Sequence, residues 1–418
     1  MLKKLLAVVA VMLSLGVGAI NAQEDVDPQL ETQMVGLETI TQTLRGLDAL
    51  ETVERVFPTR AETIDYLRDL YERELTIDEA ERWHDFYVAL GLLSPDIDLR
   101  QVYLDLLGSQ VAGFYDTDTK TMNVLPTVGD DPGTSLSLSE QIIYVHEFTH
   151  ALQDQHFTLD SLLEAANAEI NPDQSLAVTS LVEGDASAVM TLYSQEVARR
   201  NPLAALGMLA EGLQAGNLFL PPGIPNILVR ELMFPYEQGM NFVVALYEEG
   251  GWEAINAAYD SPPTTSEQIF HPEKYIEGEG ALSVELTDFS AALGEGWTEV
   301  LQTTVGEFYL REMLRTELAD SRASRAAAGW GGDHFRVYRS GDELAWGLLI
   351  LWDSTAEAVE FADLHAAYAD DRFSAEAVDG CWTDASGVLC LNLAGDQTLI
   401  VSAPSVEAAQ AIAAVVAE

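Results

Sequence analysis

The chain has 418 residues, 68 of them acidic and 21 basic, for a formal net charge of −47, and only four of the basic residues are lysines. A surface of that sign repels nucleic acid and anionic lipid, so neither is expected as a partner. With 48% hydrophobic residues the chain is globular rather than disordered, and its length suits two or three domains.

Lys3 and Lys4 precede an apolar run, Leu5 to Ile20, followed by Asn21-Ala22 and the acidic Glu24-Asp25. These are the parts of a secretory signal peptide covering residues 1–22, and the run is shorter than the roughly 20 residues that span a bilayer. The expectation is a secreted or envelope protein with no stable membrane insertion after cleavage. Over residues 23–108 apolar side chains return at three- and four-residue steps (Val35, Leu37, Ile40, Leu44, then Trp83, Phe86, Tyr87, Leu90), which predicts helices broken at Pro58 and Pro95. This region is either a helical support or a propeptide.

Gln110 to Tyr115, the turn Asp116-Thr117-Asp118-Thr119-Lys120 and Thr121 to Leu125 predict a β-hairpin. Asp116 and Asp118 fit turn chemistry better than a calcium site. A Gly/Asp/Pro loop, Gly129 to Gly133, then leads into the stretch around which the chain is organised, Ser137 to Phe157.

Ser137 with Glu140 three residues on is a capping box, and no Gly or Pro interrupts before Phe157, so a helix is predicted. It carries His146-Glu147-Phe148-Thr149-His150, an H-E-x-x-H motif. Residues four apart share a helix face, so His146 and His150 can both turn a ring nitrogen to one zinc ion. Glu147, one step round, stands beside the metal, where it can take a proton from a zinc-activated water as general base.

Catalytic zinc takes three protein ligands and keeps one position open. His156 stands at the spacing of the metzincin pattern, but that pattern needs a glycine where this chain has Gln153, and a continuing helix carries His156 off the metal face. Glu183, on a second predicted helix from Asn171 to about Arg200, completes a two-histidine, one-glutamate set. Its row holds the small residues Thr179 and Ser187. Asp185 points roughly 200° away on the helix, so only one of the two can face the ion; Glu183, with the longer side chain, is read as the ligand, and Asp185 is either the alternative ligand or a buried acceptor supporting a ligand histidine. Asp154 is a weaker candidate for such support. Further helices are expected at Leu203–Leu213, Ile227–Phe234, Glu237–Tyr247 and Trp252–Tyr259.

The texture changes near Glu285. A helix Trp297–Leu314 and a polar patch, Ala319–Ala328, precede strands expected at Phe335–Arg339, Leu344–Trp352, Gly387–Leu393 and Thr398–Ala403, interleaved with helices Ala356–Tyr368 and Val406–Ala417. That pattern predicts an α+β domain with an antiparallel sheet. The two cysteines, Cys381 and Cys390, suit a hairpin closed by a disulfide, which an exported location permits. His84, His334 and His365 read as structural or exposed. The expected domains are 23–108, helical; 109–284, catalytic and mainly helical with a small β-hairpin; and 285–418, α+β.

The motif with a downstream Glu183 resembles the gluzincin branch of the zinc metallopeptidases. More closely, four pieces resemble a little-characterised group of secreted bacterial proteins classed as metallopeptidases. They are Ala112-Gly113-Phe114-Tyr115-Asp116, His146 to Phe157 of the motif helix, Val182-Glu183-Gly184-Asp185-Ala186, and Glu267-Gln268 with His271-Pro272-Glu273-Lys274-Tyr275. Gly329-Trp330-Gly331-Gly332-Asp333 adds a fifth contact with that group. The thermolysin pattern puts an Asp four residues after the ligand Glu; here that position is Ser187, and Asp185 is the available substitute. The resemblance implies a zincin-like fold, a peptide or protein substrate and zinc-dependent hydrolysis with Glu147 as base. It also implies a His or Tyr donor for the tetrahedral oxyanion, with His271 the candidate and Tyr236 behind it. The alternative is a non-catalytic envelope or binding protein that keeps a zincin fold and its zinc, but such a site has no use for Glu147.

Overall fold

The structure is a computed structural model and describes residues 26–109, 113–126, 129, 131–202, 223–385 and 387–416. The signal-peptide segment, the expected helix at 203–213 and the first residues of the expected hairpin lie outside the described residues.

In chain order come α1 (Pro28–Arg45), β1 (Glu54–Val56), α2 (Arg60–Glu74), α3 (Ile77–Ala89) and α4 (Leu99–Ser109). The hairpin strands β2 (Phe114–Asp116) and β3 (Thr121–Asn123) follow, then α5 (Leu138–Phe157), α6 (Leu159–Ala166), α7 (Pro172–Arg200) and α8 (Asn226–Asp260). Short helices α9 (Ser266–Phe270), α10 (Pro272–Glu277) and α11 (Ser290–Leu293) lead to β4 (Thr298–Thr303), α12 (Gly306–Arg315) and α13 (Asp320–Ala327). The chain ends with β5 (Trp330–Ser340), β6 (Glu343–Trp352), α14 (Thr355–Phe373), β7 (Cys381–Asp384), β8 (Gly387–Ala394), β9 (Gln397–Ala403) and α15 (Val406–Val416). The fold is α+β, as expected from the sequence.

These elements form two units that do not follow chain order. The first comprises 1–76, 98–168 and 175–263; the second comprises 77–97, 169–174 and 264–418. The expected joins at 108/109 and 284/285 are thus not where the units part, and α3 belongs with the C-terminal sheet rather than with its neighbours in sequence.

In the first unit, β3 lies between β2, antiparallel, and β1, parallel. The hairpin turn is held by Asp116, whose Oδ1 accepts the N–H groups of Asp118 and Thr119, which is the turn chemistry expected of it. Helix α5 starts with the full capping box: Ser137 Oγ accepts Glu140 N–H, and the Glu140 carboxylate accepts Ser137 N–H at 2.7 Å. It runs unbroken to Phe157. Helices α7 and α8 meet at Gly184 and Gly239, where a Cβ on either glycine would lie 2.2 Å from backbone of the other helix. No side chain fits between them, and this contact sets the height at which Glu183 stands. The separate helices expected at Ile227–Phe234 and Glu237–Tyr247 are one helix that runs through Pro235. Proline removes one backbone hydrogen bond, but Pro235 and its neighbours Leu232 and Phe234 are buried and hold the run together. The break expected between Tyr247 and Trp252 is present at Gly250-Gly251, where Gly251 takes φ +65°.

In the second unit a six-stranded antiparallel sheet has the order β4-β5-β6-β9-β8-β7. One core gathers Leu286, Phe289, Tyr338, Val401 and Ile412. Phe86 of α3 packs edge-on against Tyr309 and Phe335. The helix expected over Trp297–Leu314 is instead strand β4 followed by α12. Thr298 to Thr303 pairs with β5, and Gly306, at φ +73°, turns the chain into the helix. Cys381 and Cys390 face each other across β7 and β8 and form a disulfide. Among the described residues no helix is long and apolar enough to cross a membrane.

Candidate metal centre

His146 and His150 come from successive turns of α5, and Glu183 comes from α7. Their ligand atoms lie within 4.8 Å of one another, and all three residues are buried. Glu183 Oε2 is 3.1 Å from His146 Nε2 and 3.6 Å from His150 Nε2, and the two Nε2 atoms are 3.1 Å apart. Three lone-pair donors thus converge on one point, which is the arrangement a cation requires and which imidazoles packing as apolar rings would avoid. Glu183 Oε1 and His146 Nδ1 are buried with no hydrogen-bond partner among the described residues.

The electrostatics favour a positive charge there. Burial opposes the charged form of Glu183, yet the two imidazoles outweigh it and hold its carboxyl below the usual range. Burial likewise opposes charging His150, but Glu183 overrides it and raises the imidazole to about 9. Glu147 is half-buried beside the triad, and its Oε2 accepts the Tyr115 N–H of β2 at 3.0 Å. Burial raises its carboxyl, with the imidazoles pulling it partly back. Glu147 also closes one end of a small cleft between α5 and the hairpin, lined by Gly113, Met122, Val124, Leu136 and Ile143.

Asp185 does not touch a ligand histidine. Gln153 stands between them: its Oε1 meets His150 Nδ1 at 2.7 Å, and its Nε2 donates to Asp185 Oδ2 at 3.1 Å and to the Val182 carbonyl at 3.0 Å. Asp185 Oδ2 also accepts the Tyr259 hydroxyl at 2.8 Å, and its Oδ1 lies 2.7 Å from Arg45 Nε. Gln153, Tyr259 and Arg45 were not singled out from the sequence. Gln153 carried one local signal, three residues after a ligand histidine on the same helix; the others meet the site only through the fold.

The remaining candidates fall as follows. His156, in the last turn of α5, bonds the Asp48 carbonyl at 2.8 Å and is not part of the triad. Asp154 binds the hairpin instead of a ligand, accepting the Tyr115 hydroxyl at 2.9 Å and pairing with Lys120 at 2.8 Å. Tyr236 stacks on His146 with ring centroids 5.9 Å apart and bonds Glu183; burial, then the nearby carboxylates, raise its hydroxyl well above the usual range. His271 belongs to the second unit, where its Nε2 lies 3.3 Å from both Glu307 and Arg311, and the bond to Glu307 raises its pKa.

One family matches the chain: a domain of unknown function, DUF8575, over residues 295–413. That stretch lies within the second unit and contains none of the metal-centre residues. No curated protein and no solved structure matches.

Proposed function

We propose that the chain is an exported zinc-dependent peptidase whose metal ligands are His146, His150 and Glu183 and whose general base is Glu147. The observation that carries this reading is the convergence of three buried donor atoms beside a fourth residue, Glu147, that is not a ligand. Two imidazoles and a carboxylate suit zinc with one position left open. The same donors also occur in non-haem iron sites, but an adjacent free carboxylate is what a hydrolytic reaction needs. Charge supports a cation: Glu147 and Glu183 stand at the centre, while Arg45 is paired with Asp185.

When bound, zinc supplies Lewis-acid polarisation of a carbonyl and lowers the pKa of a water toward neutrality. Glu147 handles the proton: it takes one from the attacking water and delivers it to the leaving amine. Its raised pKa suits both halves of that task. The Tyr115 N–H fixes the orientation of its carboxylate. Tyr236, kept protonated by its surroundings, is the oxyanion donor that the metal unit itself supplies.

Zinc content by mass spectrometry, combined with casein cleavage by the mature protein and by Glu147→Gln, tests the reading. One zinc in both proteins is expected, with cleavage lowered about 10³-fold in the variant. Equal zinc with no cleavage by either protein would favour a binding protein, and no metal in either would end the proposal.

A further inference from the structure

Arg45 is the last residue of α1 and is fully buried. Its Nε lies 2.7 Å from Asp185, its Nη2 donates to Asn256 at 2.8 Å, and its guanidinium lies over the Trp252 ring at 4.6 Å. Asp185 in turn holds Gln153, and Gln153 holds the Nδ1 of His150. From the N-terminal helix to a metal ligand the path is therefore three contacts long: guanidinium, carboxylate, amide, imidazole. A carboxylamide between a histidine and a buried carboxylate fixes both ring tilt and tautomer, because Gln153 Oε1 can only accept and so draws the proton to Nδ1, leaving Nε2 as the lone pair. The amide keeps that orientation while Asp185 is held in place, and Arg45 is the residue that holds it.

Resting on the metal-site reading above, we propose that Arg45 is a positioning residue for His150, acting through Asp185 and Gln153. It follows that the N-terminal helix is a permanent part of the catalytic unit rather than a propeptide removed on activation. Three other ties of the same segment agree. Gln33 brackets the start of α5 by accepting the Leu136 N–H at 2.7 Å, and β1 pairs in parallel with β3. Arg55 joins Glu31 and Glu38 of α1 to the Tyr144 hydroxyl on α5. Cutting the chain between α1 and β1 would strip the counter-charge of Asp185, and cutting between β1 and the hairpin would strip the sheet edge as well.

The test uses the full mature chain and reads zinc affinity by competition with a chromophoric chelator, beside thermal unfolding. Gln153→Met severs the path and leaves the Arg45–Asp185 pair intact; zinc should bind about 10- to 100-fold more weakly with little change in unfolding temperature. Arg45→Met/Asp185→Leu removes the buried pair as a unit, so folding should survive while zinc binding weakens to the same degree. Arg45→Lys should fall between it and the wild type. Sequencing the N-terminus of the active, zinc-loaded protein should find α1 present. Wild-type zinc affinity in Gln153→Met, or an active species beginning after Arg45, would overturn the proposal. Absence of zinc from the wild type itself would instead strike the metal-site reading on which it rests.

Discussion

Among the described residues two clusters gather three side-chain donors close enough to share one cation, and they are opposite in kind. In the first unit, His146, His150 and Glu183 are all buried, and Glu183 Oε1 has no hydrogen-bond partner among the described residues. In the second, Glu267, Glu279 and Asp353 come equally close together, but only Glu267 is buried. There Lys274 already stands among them, its ammonium 2.7 Å from Glu267, 2.7 Å from Glu279 and in contact with Asp353. The comparison teaches that proximity of donors does not make a metal site. What separates the two is whether the fold has supplied its own cation. The second cluster has one, and the first has an arginine that neutralises only Asp185.

That difference can be broken or sharpened by substitution. His150→Ala should abolish zinc uptake and with it all measurable peptide cleavage, read by mass spectrometry and a casein assay; the same assays on Lys274→Met should find zinc and cleavage intact. Asp185→Asn leaves Arg45 buried without a counter-charge, and urea unfolding should show a loss of roughly 3 kcal/mol. Smaller and pH-dependent is the effect of Glu267. Burial raises its carboxyl from 4.5 to about 7, against the pull of Lys274, with Glu307 and Asp353 adding to the rise. A group whose folded pKa lies above its unfolded value stabilises the fold below the unfolded pKa and loses that contribution as pH climbs through the folded one. Between about pH 4.5 and 7 the wild type should therefore lose roughly 2–3 kcal/mol relative to Glu267→Gln, whose stability should be flatter across that window. Lys274→Met should cost about 1–3 kcal/mol, screened because two of its partners reach solvent, and a millimolar divalent cation should restore part of it.

How much of this was legible in the sequence depends on the range of the interaction. The capping box of Ser137 and Glu140, the metal face of α5 and the opposed directions of Glu183 and Asp185 follow from helix geometry within one segment, and the structure places them accordingly. The turn at Asp116 and the Cys381–Cys390 hairpin are local in the same sense. Strand β1 was missed because three residues, Glu54 to Val56, carry no period of their own and become a strand only beside β3. Thr298 to Thr303 was read as helix because the following Gly306 to Arg315 is helical and no proline separates them; pairing with β5 decides otherwise. Ile227–Phe234 and Glu237–Tyr247 are expected as two helices, but Pro235 between them is buried and its setting overrides the lost hydrogen bond. Arg45 and Gln153 could not have been joined from the sequence at all, since 108 positions separate them and only the crossing of α1, α5 and α7 brings both to Asp185.

The central claim is that one transition-metal ion sits between α5 and α7. X-ray absorption at the metal edge of the purified mature protein tests it most directly. The account predicts zinc with two imidazoles and only nitrogen or oxygen neighbours at about 2.0–2.1 Å, and an imidazole contribution that disappears with the metal in His150→Ala. A protein without transition metal, or an absorption spectrum unchanged by that substitution, would contradict it.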